Sequence, residues 1–215
     1  AMFAAIMIAC LCLQIATNLF NEYYDFKRGL DTADSVGIGG GIVRHGLKPG
    51  NVLTVAFVLY GIAAILGVYI CMNSSWWLVA IGVFGMAVGY LYTGGPLPIA
   101  YTPFGELFAG VLMGSGFVLI SYFVQTGTIT WDSVLISLPI AILVGAINMS
   151  NNIRDIEEDI IGGRKTLAIL VGRDRAIGLL MIAFIVSFAW IVGLIVAGII
   201  SPWGLIVFLG IKKPI

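Results

Sequence analysis

Long stretches without a single charged side chain decide what this chain can become. Residues 52–72, 76–92, 107–125, 134–150 and 176–200 contain no Asp, Glu, Lys or Arg. A helix crosses the hydrocarbon core of a bilayer with about 17–25 apolar residues, so each run is long enough to span. Only 10% of the chain is charged and 60% is hydrophobic, whereas a soluble domain carries about 25% charge. The expected fold is all-α, a polytopic transmembrane helical bundle forming one domain over residues 1–215. Two apolar runs fall short of a span. Residues 2–17 look like the remainder of a helix, and residues 203–211, at about 1.5 Å each, reach only partway across. The chain opens inside an apolar run with no signal-peptide pattern, so it reads as part of a longer protein. Net charge is zero, which gives no case for a nucleic-acid partner. Cys10, Cys12 and Cys71 all sit in apolar runs and read as small apolar fillers.

If every run crosses once, residues 18–51, 93–106 and 151–175 share one side. Nine of the 11 Lys and Arg residues lie there: Lys27, Arg28, Arg44, Lys48, Arg154, Arg164, Lys165, Arg173 and Arg175. The opposite turns carry only Asp132. By the positive-inside tendency the charged side is cytoplasmic. Lys212 and Lys213 depart from this pattern.

Two segments on that side look alike. NLFNEYYDFKRGLD places Asn18, Asn21, Asp25 and Asp31, and NMSNNIRDIEED places Asn148, Asn151, Asp155 and Asp159. Both read N-x-x-N-x-x-x-D and both follow an apolar run. Such a pair suggests an internal repeat with a site between the halves. Residues four apart share a helix face, so Asn151, Asp155 and Asp159 are expected to form one polar ridge. The acids Glu22, Asp25, Asp31 and Asp34 would then face Asp155, Glu157, Glu158 and Asp159. Carboxylates brought together repel unless a cation or protons intervene. Hard oxygen donors suit Mg²⁺, which binds through one or two carboxylates plus substrate phosphates. Lys27, Arg28, Arg154, Arg164 and Lys165 supply partners for phosphate oxygens. Acids, amides and bases in this mixture fit a metal-bridged diphosphate better than a bare cation. The bland alternative is a set of solvated loops and salt bridges at helix ends. An ion-coupled membrane transporter would also use acids and repeats, but it tends to place them near the bilayer midplane, and here the spans are uncharged.

At these residues the sequence resembles the UbiA superfamily of intramembrane prenyltransferases. That family carries an N-D-x-x-D-type motif after its second helix and a D-x-x-x-D motif after its sixth. NEYYDFKRGLD answers to the first, with Glu22 where Asp is usual, and DIEED to the second. On that alignment the chain begins in the second family helix and ends in the eighth. The phrases NEYYDFKRGLDTADSVGIGGGIVR, GYLYTGGPLPIAYTPFGE and NNIRDIEEDIIGGRKTLAILVGR resemble the menaquinone branch. The resemblance implies transfer of a polyprenyl group from polyprenyl diphosphate to 1,4-dihydroxy-2-naphthoate, with loss of CO₂ and diphosphate to give demethylmenaquinol. Another branch would use another aromatic acceptor, such as 4-hydroxybenzoate.

Under that resemblance Asp25, Asp155 and Asp159 are the expected catalytic acids, and Asn21, Asp25, Asp31, Asp155 and Asp159 the expected Mg²⁺ ligands. Asn21, Arg28, Tyr92, Tyr101, Asn151, Arg154 and Lys165 are the expected substrate contacts. Tyr23, Tyr24 and Tyr90 lie near the same membrane face, where aromatic rings stabilise a cation-like allyl group by roughly 0.5–2 kcal/mol each. Gly39–Gly41 read as a hinge for a lid, with backbone N–H groups free for phosphate as a second use. His45, the sole histidine, reads as a solvated residue. Gly29 between Asp25 and Asp31 is expected to break the first helix.

Overall fold

The computed structural model describes residues 1–31 and 40–211; Asp34, Gly39, Lys212 and Lys213 lie outside them. The described residues form helices and no strand. Five are long and apolar enough to cross a membrane: α1 (Met2–Arg28), α3 (Pro49–Asn73), the continuous run Gly105–Thr126, α7 (Trp131–Arg154) and α10 (Arg173–Val196). Between them lie α2 (Gly41–His45), α4 (Leu78–Leu91), α8 (Ile156–Ile161) and α9 (Leu167–Val171), and a 3₁₀ helix over Pro202–Ile211 ends the described chain. Gly105–Thr126 is built from α5 (Gly105–Ala109), a π-helical stretch (Gly110–Gly116) and α6 (Phe117–Thr126).

The expected spans therefore form, with two changes. The short first run continues as one helix of 27 residues through Arg28. At about 1.5 Å per residue it is roughly 40 Å long, so its last turns project beyond a hydrocarbon core of about 30 Å. Conversely, α4 keeps only 14 residues, because Trp76 and Trp77 are spent on the turn before it.

The outer surface is apolar. Ile65, Met72, Ile185 and Val196 are exposed by 65–83%, which suits lipid and not water. With lipid outside, helix association rests on close backbone approach and satisfied polar groups. Gly110 and Gly114 on the π stretch face Ala141 of α7 so closely that a Cβ at Gly114 would lie 2.4 Å from the Ala141 Cα. Pro139 inside α7 cannot donate to the carbonyl four residues back. That carbonyl, on Leu135, instead accepts the Trp190 indole N–H at 3.0 Å, tying α7 to α10.

Two helical pairs dominate: α1 against α3, and α7 against α10. In the first, Ala5, Ile6 and Ala9 pack on Ile70 and Cys71 at one end, and Ala16 and Phe20 on Ala56 at the other, so the helices run antiparallel. In the second, Met149, Ile153 and Ile156 share a cluster with Ala168 and Ala176. Each pair is a long helix, a polar crossover and a returning helix, and each N-x-x-N-x-x-x-D segment lies in the last turns of the long helix, ending at Asp25 inside α1 and at Asp155 just past α7.

Candidate active site

Three polar segments meet at one end of the bundle. The first is the end of α1. Gly29, at φ 73°, terminates that helix, and the Leu30 N–H bonds the Asp25 carbonyl at 2.9 Å. The Asp25 side chain is buried in the last turns. The second begins where α7 stops. Asp155 sits between α7 and α8 with φ −96° and ψ 16°, and buried Asp159 follows one turn later. Gly162 and Gly163, the latter at φ 75°, then turn the chain so that the Arg164 N–H bonds the Asp159 carbonyl at 2.9 Å. The third is the Gly/Pro loop, whose Tyr101 carbonyl accepts the Lys165 N–H at 2.9 Å.

Arg164 joins all three. Its guanidinium donates to Asp25 Oδ1 at 2.6 Å and to Asp159 Oδ1 at 3.0 Å, and lies 5.2 Å from the centre of the Tyr101 ring. Arg28 stands at the same 5.2 Å from Tyr101 and from Tyr24, and donates to the Thr93 and Gly95 carbonyls. The Tyr24 and Tyr90 hydroxyls are 2.6 Å apart. Tyr24 and Tyr101 thus stand beside the two arginines, with Tyr90 joined to Tyr24.

The electrostatic balance is unfinished. Two carboxylates share one guanidinium directly, and the second cation, Arg28, acts on Asp25 from further off. Burial pushes Asp159 up to about 6, Arg164 pulls it back, and Asp155 and Asp25 add to the rise. Asp31 is likewise pushed up to about 6, by burial first and then by Asp25 and Glu22. Burial pulls Arg164 down, but Asp25 and Asp159 more than offset this and hold it above the ordinary value. Asp159 Oδ2 and Arg164 Nε are buried with no hydrogen-bond partner.

The polar ridge over Asn151, Asp155 and Asp159 is interrupted at Asp155. α7 ends at Arg154 and α8 starts at Ile156, while the Asp155 N–H still bonds the Asn151 carbonyl at 3.0 Å and the Asp159 N–H the Asp155 carbonyl at 2.8 Å. Asp155 instead takes the Arg154 guanidinium in a two-pronged pair at 2.6 Å, at a more exposed position. Asn21, Asn151 and Lys165 are exposed. His45 is exposed at the end of α2.

Glu22 corrects the reading of the glycine loop. Its carboxylate accepts the Gly40 and Ile42 N–H groups, each at 2.8 Å. Those amides are therefore occupied in this structure, and Glu22 fastens the loop to α1.

A second polar group escaped the sequence reading. The Tyr92 hydroxyl, expected to touch substrate, is hydrogen-bonded by Asn148, and Asn152 donates to buried Glu106 at 2.8 Å. A Cβ at Gly105 would sit 3.1 Å from that hydroxyl and would press on it. Glu106 is among the residues lining an open apolar groove of about 380 Å³, with Gly110, Ala141, Gly145, Met149 and Leu180.

Comparison with known proteins agrees with this architecture. The model of the UbiA prenyltransferase family matches residues 1–211. The 1,4-dihydroxy-2-naphthoate octaprenyltransferase of Bacillus subtilis (strain 168) is 67% identical over 214 residues, which cover 100% of this chain and 69% of that protein. The enzyme of the same name from Mycobacterium tuberculosis is 34% identical over 92% of this chain and 66% of its own length. UbiA prenyltransferase domain-containing protein 1 of Homo sapiens is 32% identical over 77% of this chain and 49% of its own length. The chain thus spans about two thirds of the bacterial relatives and about half of the human one. No solved structure matches it at a significant level. With five helices able to cross a membrane and this match along the chain, the protein is a multi-pass membrane protein that belongs to the UbiA prenyltransferase family.

Proposed function

We propose that this protein transfers a polyprenyl group from a polyprenyl diphosphate to 1,4-dihydroxy-2-naphthoate. The observation that carries the reading is the meeting of Asp25 and Asp159 on one guanidinium, at 2.6 and 3.0 Å, beside Tyr101 at the end of an apolar bundle. The 67% identity to a relative named for this acceptor supports the choice of substrate.

The chemistry has a definite balance. The allylic C–O bond breaks and the electron pair leaves with the diphosphate. A ring carbon of the naphthoate attacks the allyl group. The carboxylate leaves that carbon as CO₂, and its bonding pair restores the aromatic ring, giving demethylmenaquinol. Arg28 and Arg164 bind phosphate oxygens, which suits their forked donors. Tyr24, Tyr90 and Tyr101 present ring faces to the developing positive charge. The apolar groove beside Glu106 receives the tail and keeps water from the allyl group.

The donor set also fits Mg²⁺. It offers hard oxygens only, and buried Asp159 Oδ2 has no partner. Among the described residues no group of three or more His, Cys, Asp and Glu is already gathered to hold an ion, but Mg²⁺ needs only one or two protein carboxylates beside phosphate oxygens. Asp25 and Asp159, with Asp31 and Asp155 adjoining, would hold it, and there it would neutralise the departing diphosphate. The collection of Lys and Arg at this end supports a cytoplasmic orientation in the cell membrane.

The test is product formation by the membrane-embedded protein with Mg²⁺, octaprenyl diphosphate and dihydroxynaphthoate, beside 4-hydroxybenzoate. A prenylated naphthoquinol with release of CO₂ is expected. Transfer to the benzoate alone would refute the acceptor and keep the diphosphate chemistry; transfer to neither would refute both.

A further inference from the structure

Arg164 is placed unlike an ordinary phosphate-binding arginine. Its guanidinium stands between the two acids that the proposed reaction uses for a cation, and it reaches both. The acids come from segments far apart in the chain, and Arg164 itself lies 139 residues from Asp25, so the bridge is a device of the fold and not a local helix pair. Both ends of the bridge are left incomplete: Asp159 Oδ2 and Arg164 Nε are buried without partners. The backbone beside it is held by the Arg164 N–H on the Asp159 carbonyl and the Lys165 N–H on the Tyr101 carbonyl, so any movement falls to the side chain. Arg164 follows Gly162 and Gly163, with Gly163 at φ 75° and open space where its Cβ would be. The ring of Tyr101 lies 5.2 Å away and is shared with Arg28, so a guanidinium leaving the acids stays against an aromatic face beside a second cation.

We propose that Arg164 is an internal counter-ion that holds the place of the metal. It neutralises Asp25 and Asp159 while the site is empty, and on binding of the metal–diphosphate substrate it yields both carboxylates to the metal and turns its donors to the diphosphate. This rests on the diphosphate reading given above and adds an exchange to it. The physical reason is the cost of two buried carboxylates without a cation. One guanidinium supplies a single positive charge and fixed planar donors, which suffices to keep the acids together but is the weaker partner once a divalent ion with its own phosphate ligands arrives. The arrangement makes the metal and the diphosphate bind together. Metal alone must evict Arg164 with nowhere for its charge to go, whereas metal with diphosphate supplies the anion that Arg164 then pairs with.

The test compares wild type, Arg164→Ala and Arg164→Lys as full-length protein in nanodiscs. Mn²⁺ is the probe for the metal, read by its paramagnetic resonance, and inorganic diphosphate is the second ligand. The exchange predicts changes of opposite sign in Arg164→Ala. Mn²⁺ alone binds about tenfold or more tightly than in wild type, and diphosphate in the presence of Mn²⁺ about tenfold or more weakly, the size expected for one charge-assisted hydrogen bond. Arg164→Lys keeps the charge but not the fork, and shows a smaller change in the same directions; it serves as the folded variant if the alanine protein fails to assemble. Unchanged or weaker Mn²⁺ binding in both variants, while wild type binds Mn²⁺ and diphosphate, overturns the place-holding role and leaves the diphosphate reading intact. Wild type that takes up neither ligand overturns the diphosphate reading and this proposal together.

Discussion

Replacing Asp25 by Asn separates a site built for function from one built for stability. In the wild type the Arg164–Asp25 contact is short, 2.6 Å, and largely closed to solvent. A hydrogen bond between charged groups at such a position contributes about 1.5–3 kcal/mol, and a neutral one about 0.5–1.5. The substituted amide keeps an oxygen where Oδ1 now lies, so the direct loss is about 1–1.5 kcal/mol by the difference between those two ranges. Against it stands the relief of repulsion, since the Asp25 charge helps push both Asp31 and Asp159 up to about 6. The net change in stability of the metal-free protein at neutral pH is expected within about 1 kcal/mol, or a shift of about 2–4 °C in Tm. Turnover is expected to fall by about 10²–10³ or more, the scale seen when one group is removed from a preorganised charge-stabilising site.

The pH profile sharpens this. Asp31 and Asp159 titrate above the ordinary value of 3.8 in the folded protein, so the fold binds their protons more tightly than the unfolded chain. The stability they contribute is complete below about pH 4 and is lost as pH rises through about 6. Thermal unfolding of the metal-free wild type in nanodiscs should therefore weaken over that window, and Asp25→Asn should flatten the decline. The reasoning fails if Asp25→Asn lowers Tm by about 10 °C with the pH slope unchanged, well beyond the shift that a change of 1 kcal/mol produces. It fails equally if the variant turns over within a few-fold of wild type.

Other perturbations follow from the same geometry. Asp155→Asn breaks only the exposed pair with Arg154, worth about 0–1 kcal/mol, so circular dichroism and Tm should hold while turnover is abolished. Glu22→Ala removes the acceptor of the Gly40 and Ile42 N–H groups, and hydrogen exchange at those two amides should quicken about tenfold or more. Gly114→Ala drives a Cβ to 2.4 Å from the Ala141 Cα, which is backbone that cannot step aside, and should cost about 1–3 kcal/mol in thermal unfolding.

Much of this arrangement is legible in the sequence because a bilayer is a strict solvent. A run such as residues 52–72 has no way to place its backbone other than a helix, and α3 covers it with a few residues to spare. Gly29 marks the end of α1 because only a residue tolerant of positive φ can close the helix there while Asp25 stays in its last turns. Tertiary pairing is where local pattern stops. The spacing of Asn151, Asp155 and Asp159 fits an unbroken helix, and nothing nearby signals the break at Asp155, where φ is −96° and ψ 16°. Glu106 and Asn152 are 46 residues apart, and each alone looks like an ordinary polar residue at a helix end. Arg164 sits in a stretch already rich in charge, so its pattern does not distinguish it from Lys165, whose side chain is exposed.

The difference between those two neighbours is made by the acids and not by the bases. A cation follows buried negative charge, because leaving a carboxylate unpaired in a closed site costs more than ordering one long side chain. Asp159 is carried inward by Ile156, one turn earlier on α8, and Asp25 is buried in the last turns of α1. Once they are there, the chain must bring a positive group across, and the turn at Gly162 and Gly163 lets Arg164 be that group. Optimising stability alone would match the charges one for one or replace them by apolar side chains. This site ties two carboxylates to one guanidinium and keeps one buried carboxylate oxygen without a partner, and that oxygen is what a divalent cation arriving with a diphosphate would engage.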